Sequence, residues 1–259
     1  MDLVLLGTGA VRPEADRSTS NYVVKIGDKN ILVDCGGGTS MRLMQAKVSP
    51  TTLNSIFFTH LHGDHCAEYP CLVHAAWLMN RKDPLTVFGP SGTKKMHEIF
   101  FNDLFTYAYP QIKKLKGIDM DIRITEINEG VIQDNDWAKI SAARVIHGPI
   151  ESYAYRFDSE GKSIVISGDT APAQSLIDLS QGADLLLHEC SFPDERGETP
   201  AHTIPRQLGE IANKSKVKKV VLTHLFPECL GKENEMVQSI EQNFSGEIIV
   251  GKDLMELEV

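Results

Sequence analysis

The run Thr59-His60-Leu61-His62-Gly63-Asp64-His65 places four metal-competent side chains within six residues, directly after the apolar stretch Ser55-Ile56-Phe57-Phe58. Imidazole and carboxylate are the donors that a borderline divalent cation such as zinc prefers. Along an extended chain the side chains at i and i+2 share a face, so His60 and His62 can grip one ion together. Gly63 is then expected to let the backbone turn, so that Asp64 and His65 face a second ion nearby. A polar loop with coincidental histidines would account for one such residue. It does not account for the whole His-x-His-x-Asp-His string at the end of an apolar strand.

Twelve segments read as strands: Leu3–Gly7, Asn21–Ile26, Asn30–Asp34, Ser55–Thr59, Leu85–Phe88, Ile122–Ile127, Ala138–Val145, Ser152–Phe157, Ser163–Ser167, Leu185–His188, Lys219–Thr223 and Glu247–Val250. Each is short, rich in Val, Ile or Phe, and bounded by Gly, Pro, Asn or Asp. Helical stretches fall at Thr39–Gln45, Glu68–Met79, Gly92–Leu104, Gln174–Leu179, Ile204–Asn213 and Asn234–Phe244, with Thr203 a candidate cap for the helix that opens at Ile204-Pro205. The run Lys219-Val220-Val221-Leu222-Thr223-His224-Leu225 echoes Ile56-Phe57-Phe58-Thr59-His60-Leu61. Two similar halves, each a sheet with helices outside, explain the echo.

With 259 residues, 42% of them hydrophobic, and no linker or low-complexity stretch, the chain is expected to form a single domain over 1–259. No apolar run approaches the roughly 18 residues of a membrane span. Met1-Asp2-Leu3 leads into a strand without a basic n-region, and the five cysteines are odd in number and lack framework spacing. A cytoplasmic location with reduced thiols is therefore expected, and no membrane partner. A net charge of −9 argues against electrostatic capture of a long polyanion, so nucleic acid is not the expected partner. The basic clusters Lys113-Lys114-Leu115-Lys116 and Lys214 to Lys219 read as solvated surface.

Three further donors close strand-like runs: His147 after Val145-Ile146, Asp169 after Ser167-Gly168, and His224 after Leu222-Thr223. Sheets of this kind gather ligands at their carboxyl ends, so the three aim at one rim.

The ordered set Leu6-Gly7-Thr8-Gly9, Asp34-Cys35-Gly36 with Gly38-Thr39, Thr59 through His65, His147, Ser167-Gly168-Asp169-Thr170, His188-Glu189, Ala201-His202-Thr203 and Thr223-His224 spans nearly the whole chain. It resembles the metallo-β-lactamase superfamily and, through the His-Glu and His-Thr pairs, its ribonuclease Z-like branch. The resemblance implies an α/β (α+β) fold, a four-layer αββα sandwich. Carried over residue by residue, it implies a dinuclear centre. One divalent ion would take His60, His62 and His147, the other Asp64, His65 and His224, with Asp169 bridging them. Such a pair, roughly 3.5–4 Å apart, activates water near neutral pH. Zinc is the default cofactor from the donor types, with manganese or iron also suited to them.

The resemblance also places His202 near the departing oxygen as general acid, with Glu189 hydrogen-bonded to it, so that Asp64, His202 and Glu189 are the expected catalytic residues. Asp34 is expected to support the metal-binding loop, and His188 to pack beside the site. Cys66 and Cys71 are expected to be buried, and His74 and His97 to be structural. Phe100, Phe101, Phe105, Tyr107 and Tyr109 either form core or wall the pocket.

Ribonuclease Z enzymes that mature tRNA mostly carry a long insertion between the positions matching His147 and Asp169. Here these are 22 positions apart, and Tyr153–Phe157 and Ser163–Ser167 fill the interval as a hairpin about Asp158-Ser159-Glu160-Gly161. The expected reaction is therefore hydrolysis of a small-molecule ester, a cyclic or aryl phosphodiester. Arylsulfatase activity ranks next and tRNA 3′-end processing below it. A non-catalytic metal-binding scaffold would have lost ligands, and none is lost. Di-iron redox chemistry would bring rearranged ligands or a flavin domain, and neither occurs. Related proteins often pair as homodimers, which the sequence itself leaves open.

Overall fold

The runs Ile164-Val165-Ile166, Leu185-Leu186-Leu187 and Val220-Val221-Leu222 are apolar at every position, so they need cover on both faces. They receive it in a computed structural model that describes residues 1–105 and 121–259. Ile164, Ile166, Leu185, Leu187 and Val221 face one apolar core, while Val165, Leu186, Val220 and Leu222 face another. The first core lies between two sheets. The second lies between a sheet and its helices.

Among the described residues, two sheets of seven strands form. The first is built from β1 (Asp2–Gly7), β2 (Asn21–Ile26), β3 (Lys29–Val33), β4 (Leu53–Phe57), β5 (Leu85–Gly89) and β6 (Ile122–Glu126). The second comprises β7 (Gly130–Asp134), β8 (Lys139–His147), β9 (Ile150–Ser159), β10 (Lys162–Ile166), β11 (Leu185–Glu189), β12 (Lys219–Thr223) and β13 (Glu247–Val250). A last strand, β14 (Met255–Glu258), returns to the first sheet, whose order is β14-β1-β2-β3-β4-β5-β6; the second runs β13-β12-β11-β10-β9-β8-β7.

Helices α1 (Thr39–Gln45), α2 (Gly63–Cys66), α3 (Tyr69–Leu78) and α4 (Thr93–Glu98) belong to the first half. Leu43, Leu72, Val73 and Trp77 seal them onto the outer face of that sheet. Helices α5 (Gln174–Leu179), α6 (Pro205–Ser215) and α7 (Glu233–Glu241) cover the second sheet through Leu176, Leu208, Ile211, Met236 and Ile240. The result is the four-layer αββα sandwich of the α/β class. Each fully buried aliphatic side chain contributes about 1.5–3 kcal/mol. No helix among the described residues is long and apolar enough to cross a membrane.

The two sheets are stitched together at one rim. Tyr155 Oη donates to the Phe58 carbonyl (2.6 Å), Tyr153 N donates to the Thr59 carbonyl (2.9 Å), and Leu225 N donates to the Thr8 carbonyl (3.0 Å). Parallel pairing of β3 with β4, and of β10 through β13, brings their carboxyl ends to this rim.

Several sequence expectations need correction. Strands β7 and β14 went unread because each is short and carries only two apolar residues, Val131-Ile132 in one and Met255 and Leu257 in the other, a weak signature. The helix expected over Gly92–Leu104 is α4 followed by a π-helical turn, Ile99–Leu104. Thr203 does not cap α6: its hydroxyl donates to the Thr170 carbonyl at 2.7 Å, and Ile204 occupies the cap position. Cys66 is buried, but Cys71 lies exposed on α3. Tyr107, Tyr109 and the Lys113–Lys116 cluster lie outside the described residues.

Candidate metal centre

Strand β4 ends at Phe57, and the chain stays extended through Phe58, Thr59 and His60 before α2 starts at Gly63. The helical turn swings Asp64 and His65 away from the direction of His60 and His62. Gly63 is not needed for this turn. Its φ is not positive, and a Cβ there would meet nothing within 4 Å. The obligatory glycine is Gly36, where a Cβ would lie 2.0 Å from the Asp64 carbonyl oxygen. The metal-loop backbone is thus pressed against the turn after β3, which only a residue without a side chain permits.

Seven donors drawn from both sheets converge. His60 Nε2 and His147 Nε2 approach His62 Nδ1 at 3.0 and 3.2 Å. Asp169 Oδ2 lies 4.0 Å from His60 Nε2 and 3.8 Å from His147 Nε2. On the other side, His224 Nε2 lies 3.4 Å from Asp64 Oδ2 and 3.2 Å from Asp169 Oδ2. His65 Nε2 stands 3.8 Å from Asp64 Oδ2 and 3.4 Å from Asp169 Oδ1. Asp169 therefore lies between two donor groups, His60/His62/His147 and Asp64/His65/His224, and also falls within reach of His147 and His202 together.

Four of the rings, those of His60, His65, His147 and His224, are held by the far nitrogen. Asp34 Oδ2 accepts from His65 Nδ1 at 2.8 Å, while Asp34 Oδ1 accepts from Thr59 N at 2.8 Å. Thr59 Oγ1 also contacts His60 Nδ1 at 3.1 Å. His147 Nδ1 donates to the Ala201 carbonyl at 2.9 Å. His224 Nδ1 meets Ser191 Oγ at 2.9 Å, and that hydroxyl donates to Glu189 Oε2 at 2.5 Å. These bonds fix the tautomers so that the inward nitrogens carry lone pairs, the usual bracing of ligating histidines. Asp34 (φ 60°) and His224 (φ 54°) both adopt left-handed backbone conformations. Such strain in non-glycine residues persists where the surroundings over-determine it, commonly at functional sites.

The donors fit a cation pair. Tetrahedral zinc with bonds of 2.0–2.1 Å sets its ligand atoms roughly 3.3 Å apart, close to the spacing within each group. His65 Nε2 is buried without a hydrogen-bond partner, a costly arrangement unless it ligates. The local field is cation-seeking. Burial resists charge on His65, yet Asp169 and Asp34 overcome it and hold its pKa well above the ordinary value. Burial likewise favours a neutral Asp169, but His224 and His65 outweigh it and keep this carboxyl well below the usual range. His60 shows the opposite: burial, reinforced by His65, holds it well below its ordinary value, as a neutral imidazole.

His202 and Glu189 meet beside these donors. His202 Nδ1 donates to Glu189 Oε1 at 2.9 Å, and the same carboxylate accepts from Thr170 N at 2.9 Å. Burial lowers the pKa of His202, but the Glu189 hydrogen bond and charge win and raise it. His188 is buried, with Nδ1 donating to the Glu189 carbonyl at 2.6 Å. His97 Nδ1 bonds Tyr69 Oη at 2.8 Å, and His74 lies edge-on to Phe101; both stand in the helical layer.

A cavity of about 360 Å³ opens over the donors, lined by His62, Asp64, His147, Asp169, His202 and His224 on its polar side and by Val11 and Phe226 on its apolar side. Phe101 packs against Tyr69 in the helical layer, and Phe100 pairs with Phe105. Among the described residues the aromatic wall of the cavity is Phe226, stacked on Phe192. Ser191 and Phe226 were not foreseen. Their only sequence signal is adjacency, Ser191 two residues after Glu189 and Phe226 two after His224.

Comparison with known proteins adds a consistent set of likenesses. The family described as anti-Pycsar protein Apyc1 matches residues 1–244. Ribonuclease Z of Mycobacterium bovis (strain BCG) is 32% identical over 277 residues, covering 100% of this chain and 98% of its own. The metallo-β-lactamase fold protein YhfI of Bacillus subtilis superposes with a TM-score of 0.84 at 23% identity, covering 100% and 99% of the two chains. Human tRNase Z, short form, follows at 0.77 and 24%, with the same coverage.

Proposed function

Because the chain belongs to the family of the anti-Pycsar protein Apyc1, within the ribonuclease Z-like branch of the metallo-β-lactamase superfamily, we propose that it is a dinuclear metal-dependent hydrolase of small phosphodiesters. The observation that carries this reading is the pairing, around one 360 Å³ cavity, of seven cation donors with a carboxylate-backed histidine. A cavity of that volume sits at the small end of ligand sites and suits a mononucleotide-sized ester.

His60, His62 and His147 would hold one ion, Asp64, His65 and His224 the other, with Asp169 shared. Bound there, the ions would supply Lewis acidity and an activated water, with zinc the default. The protein's own groups do the rest. Glu189 fixes the Nδ1 proton of His202 and keeps the ring protonated, so Nε2 can give its proton to the departing oxygen. Burial alone would raise the pKa of Asp64, but His224 and His65 draw it below the ordinary value, so it stays ionised and can orient a water. Phosphodiesters with alkoxide leaving groups gain most from that acid.

Transfer RNA is the second reading, favoured by 32% identity to a ribonuclease Z along its full length. Against it stand the net charge of −9 and the interval between His147 and Asp169, which β9 and β10 consume as a paired hairpin. A rate panel on metal-loaded protein decides: bis-p-nitrophenyl phosphate, 2′,3′-cyclic nucleotides, p-nitrophenyl sulfate, paraoxon and a precursor tRNA. Turnover of the first two well above the others is expected. Preferred cleavage of the precursor tRNA, or of the sulfate, would reject the proposal.

A further inference from the structure

The apolar side of the cavity has no role in holding cations or moving protons. Phe226 is partly exposed and lines the cavity beside Val11. Its ring stacks on Phe192 with centroids 4.6 Å apart and planes 28° apart. The Arg196 guanidinium lies 5.3 Å over Phe192. Phe226 is also 5.7 Å from the His224 ring and 6.1 Å from the His202 ring, both nearly edge-on to it.

The backbone holds this pair in place. Phe226 N donates to the Ser191 carbonyl at 3.2 Å, which sets Phe226 beside Phe192. Cys229 N donates to the Phe226 carbonyl at 2.9 Å, closing the turn that starts at Pro227. On the other flank, Gly9 bridges to Leu225 and anchors the segment that carries Val11. An aromatic ring left partly wet, backed by a second ring and fixed at both ends, is pre-organised to receive a flat partner.

Resting on the hydrolase reading above, we propose that Phe226, backed by Phe192, is a stacking platform for a planar ring carried by the substrate, and so a specificity-determining residue. Its closeness to His202 and His224 places that ring within one substituent of the reacting phosphorus. A nucleobase and an aryl group share this chemistry.

The test uses the metal-loaded full chain as wild type, Phe226→Ala and Phe226→Trp. The substrates are 2′,3′-cyclic CMP, which carries a base, bis-p-nitrophenyl phosphate, which carries aryl rings, and glycerol 1,2-cyclic phosphate, which carries neither. Calorimetric binding of CMP and of glycerol phosphate gives a readout independent of turnover. Phe226→Ala should weaken kcat/KM on a ring-bearing ester about 10- to 100-fold more than on the ring-free one, the span one stacked ring is worth. The Kd for CMP should rise in parallel, and Phe226→Trp should restore both. A differential loss with the cyclic nucleotide alone assigns the platform to a base, with the aryl ester alone to an aryl group. Equal losses on all three esters overturn it, as does CMP binding left unchanged together with no differential loss on the aryl ester. Failure of the wild type to cleave any of the three, with CMP binding still weakened in Phe226→Ala, would reject the hydrolase reading and leave the platform standing.

Discussion

The two halves of the molecule furnish the same centre in different ways. The first sheet delivers four donors from one turn, His60 through His65, and braces them from its own neighbouring strand end through Asp34. The second sheet delivers His147, Asp169 and His224 singly, from the ends of β8, β10 and β12, and braces the two histidines from the end of β11 and the chain that follows it: His147 through the Ala201 carbonyl, His224 through Ser191 and Glu189. The first half is thus a preformed claw. The second is assembled only when three separate strand ends come into line. Charge differs as well. Asp34 holds His65 through a carboxylate, whereas Ser191 holds His224 through a neutral hydroxyl, and charge-assisted bonds are roughly twice as strong.

The sharpest way to break this contrast is Asp169→Ala, which removes the one donor common to both groups. At least one ion should be lost by elemental analysis, and with it several kcal/mol of charge stabilisation, a fall in kcat/KM of about a thousandfold or more. Retention of two ions would show that the halves bind cations independently. Next comes His202→Ala. It should lower kcat about 10²- to 10⁴-fold on esters with alkoxide leaving groups and far less on p-nitrophenyl esters, whose leaving group scarcely needs an acid. Equal losses on both would remove His202 from the acid role.

A smaller effect tests the braces directly. Asp34→Asn should weaken metal affinity by about 10- to 100-fold in chelator competition. Ser191→Ala should weaken it less, and the reverse order would contradict the distinction between charged and neutral bracing. The mildest change is in pH dependence. The pKa of His202 is raised above 6.5, so its acid form persists below that value and is lost as pH climbs through the raised one. Activity on alkyl esters should therefore decline on the alkaline side, and the stability owed to the His202–Glu189 pair should decline over the same window. Glu189→Gln should move that decline to lower pH. An unmoved profile would mean that Glu189 does not tune His202.

Much of the fold was legible because its strands are strongly patterned. The all-apolar runs of β10, β11 and β12 could only be doubly covered strands. The edge strands β6 and β13 were legible but β7 and β14 were not: in Met255-Glu256-Leu257-Glu258 the alternation is clear, yet pairing with β1 needs a partner more than 240 positions away. Thr203 misled because a threonine before Ile-Pro looks like a cap, whereas a tertiary acceptor, the Thr170 carbonyl, took its hydroxyl. Gly63 misled for a related reason: the need for glycine arose at Gly36, where two distant backbones touch.

The sequence by itself singled out the candidate donors that the fold brings together, since His-x-His-x-Asp-His and three strand-ending residues state their chemistry through residue type and local spacing. Only the tertiary structure decided which atoms face inward, that Ser191 rather than a charged group steadies His224, and that among the described residues the apolar wall is Phe226 on Phe192 rather than Phe100, Phe101 or Phe105. Donor identity is a property of side chains and short-range geometry. Orientation and pocket shape depend on contacts between segments far apart in the chain, which no local pattern encodes.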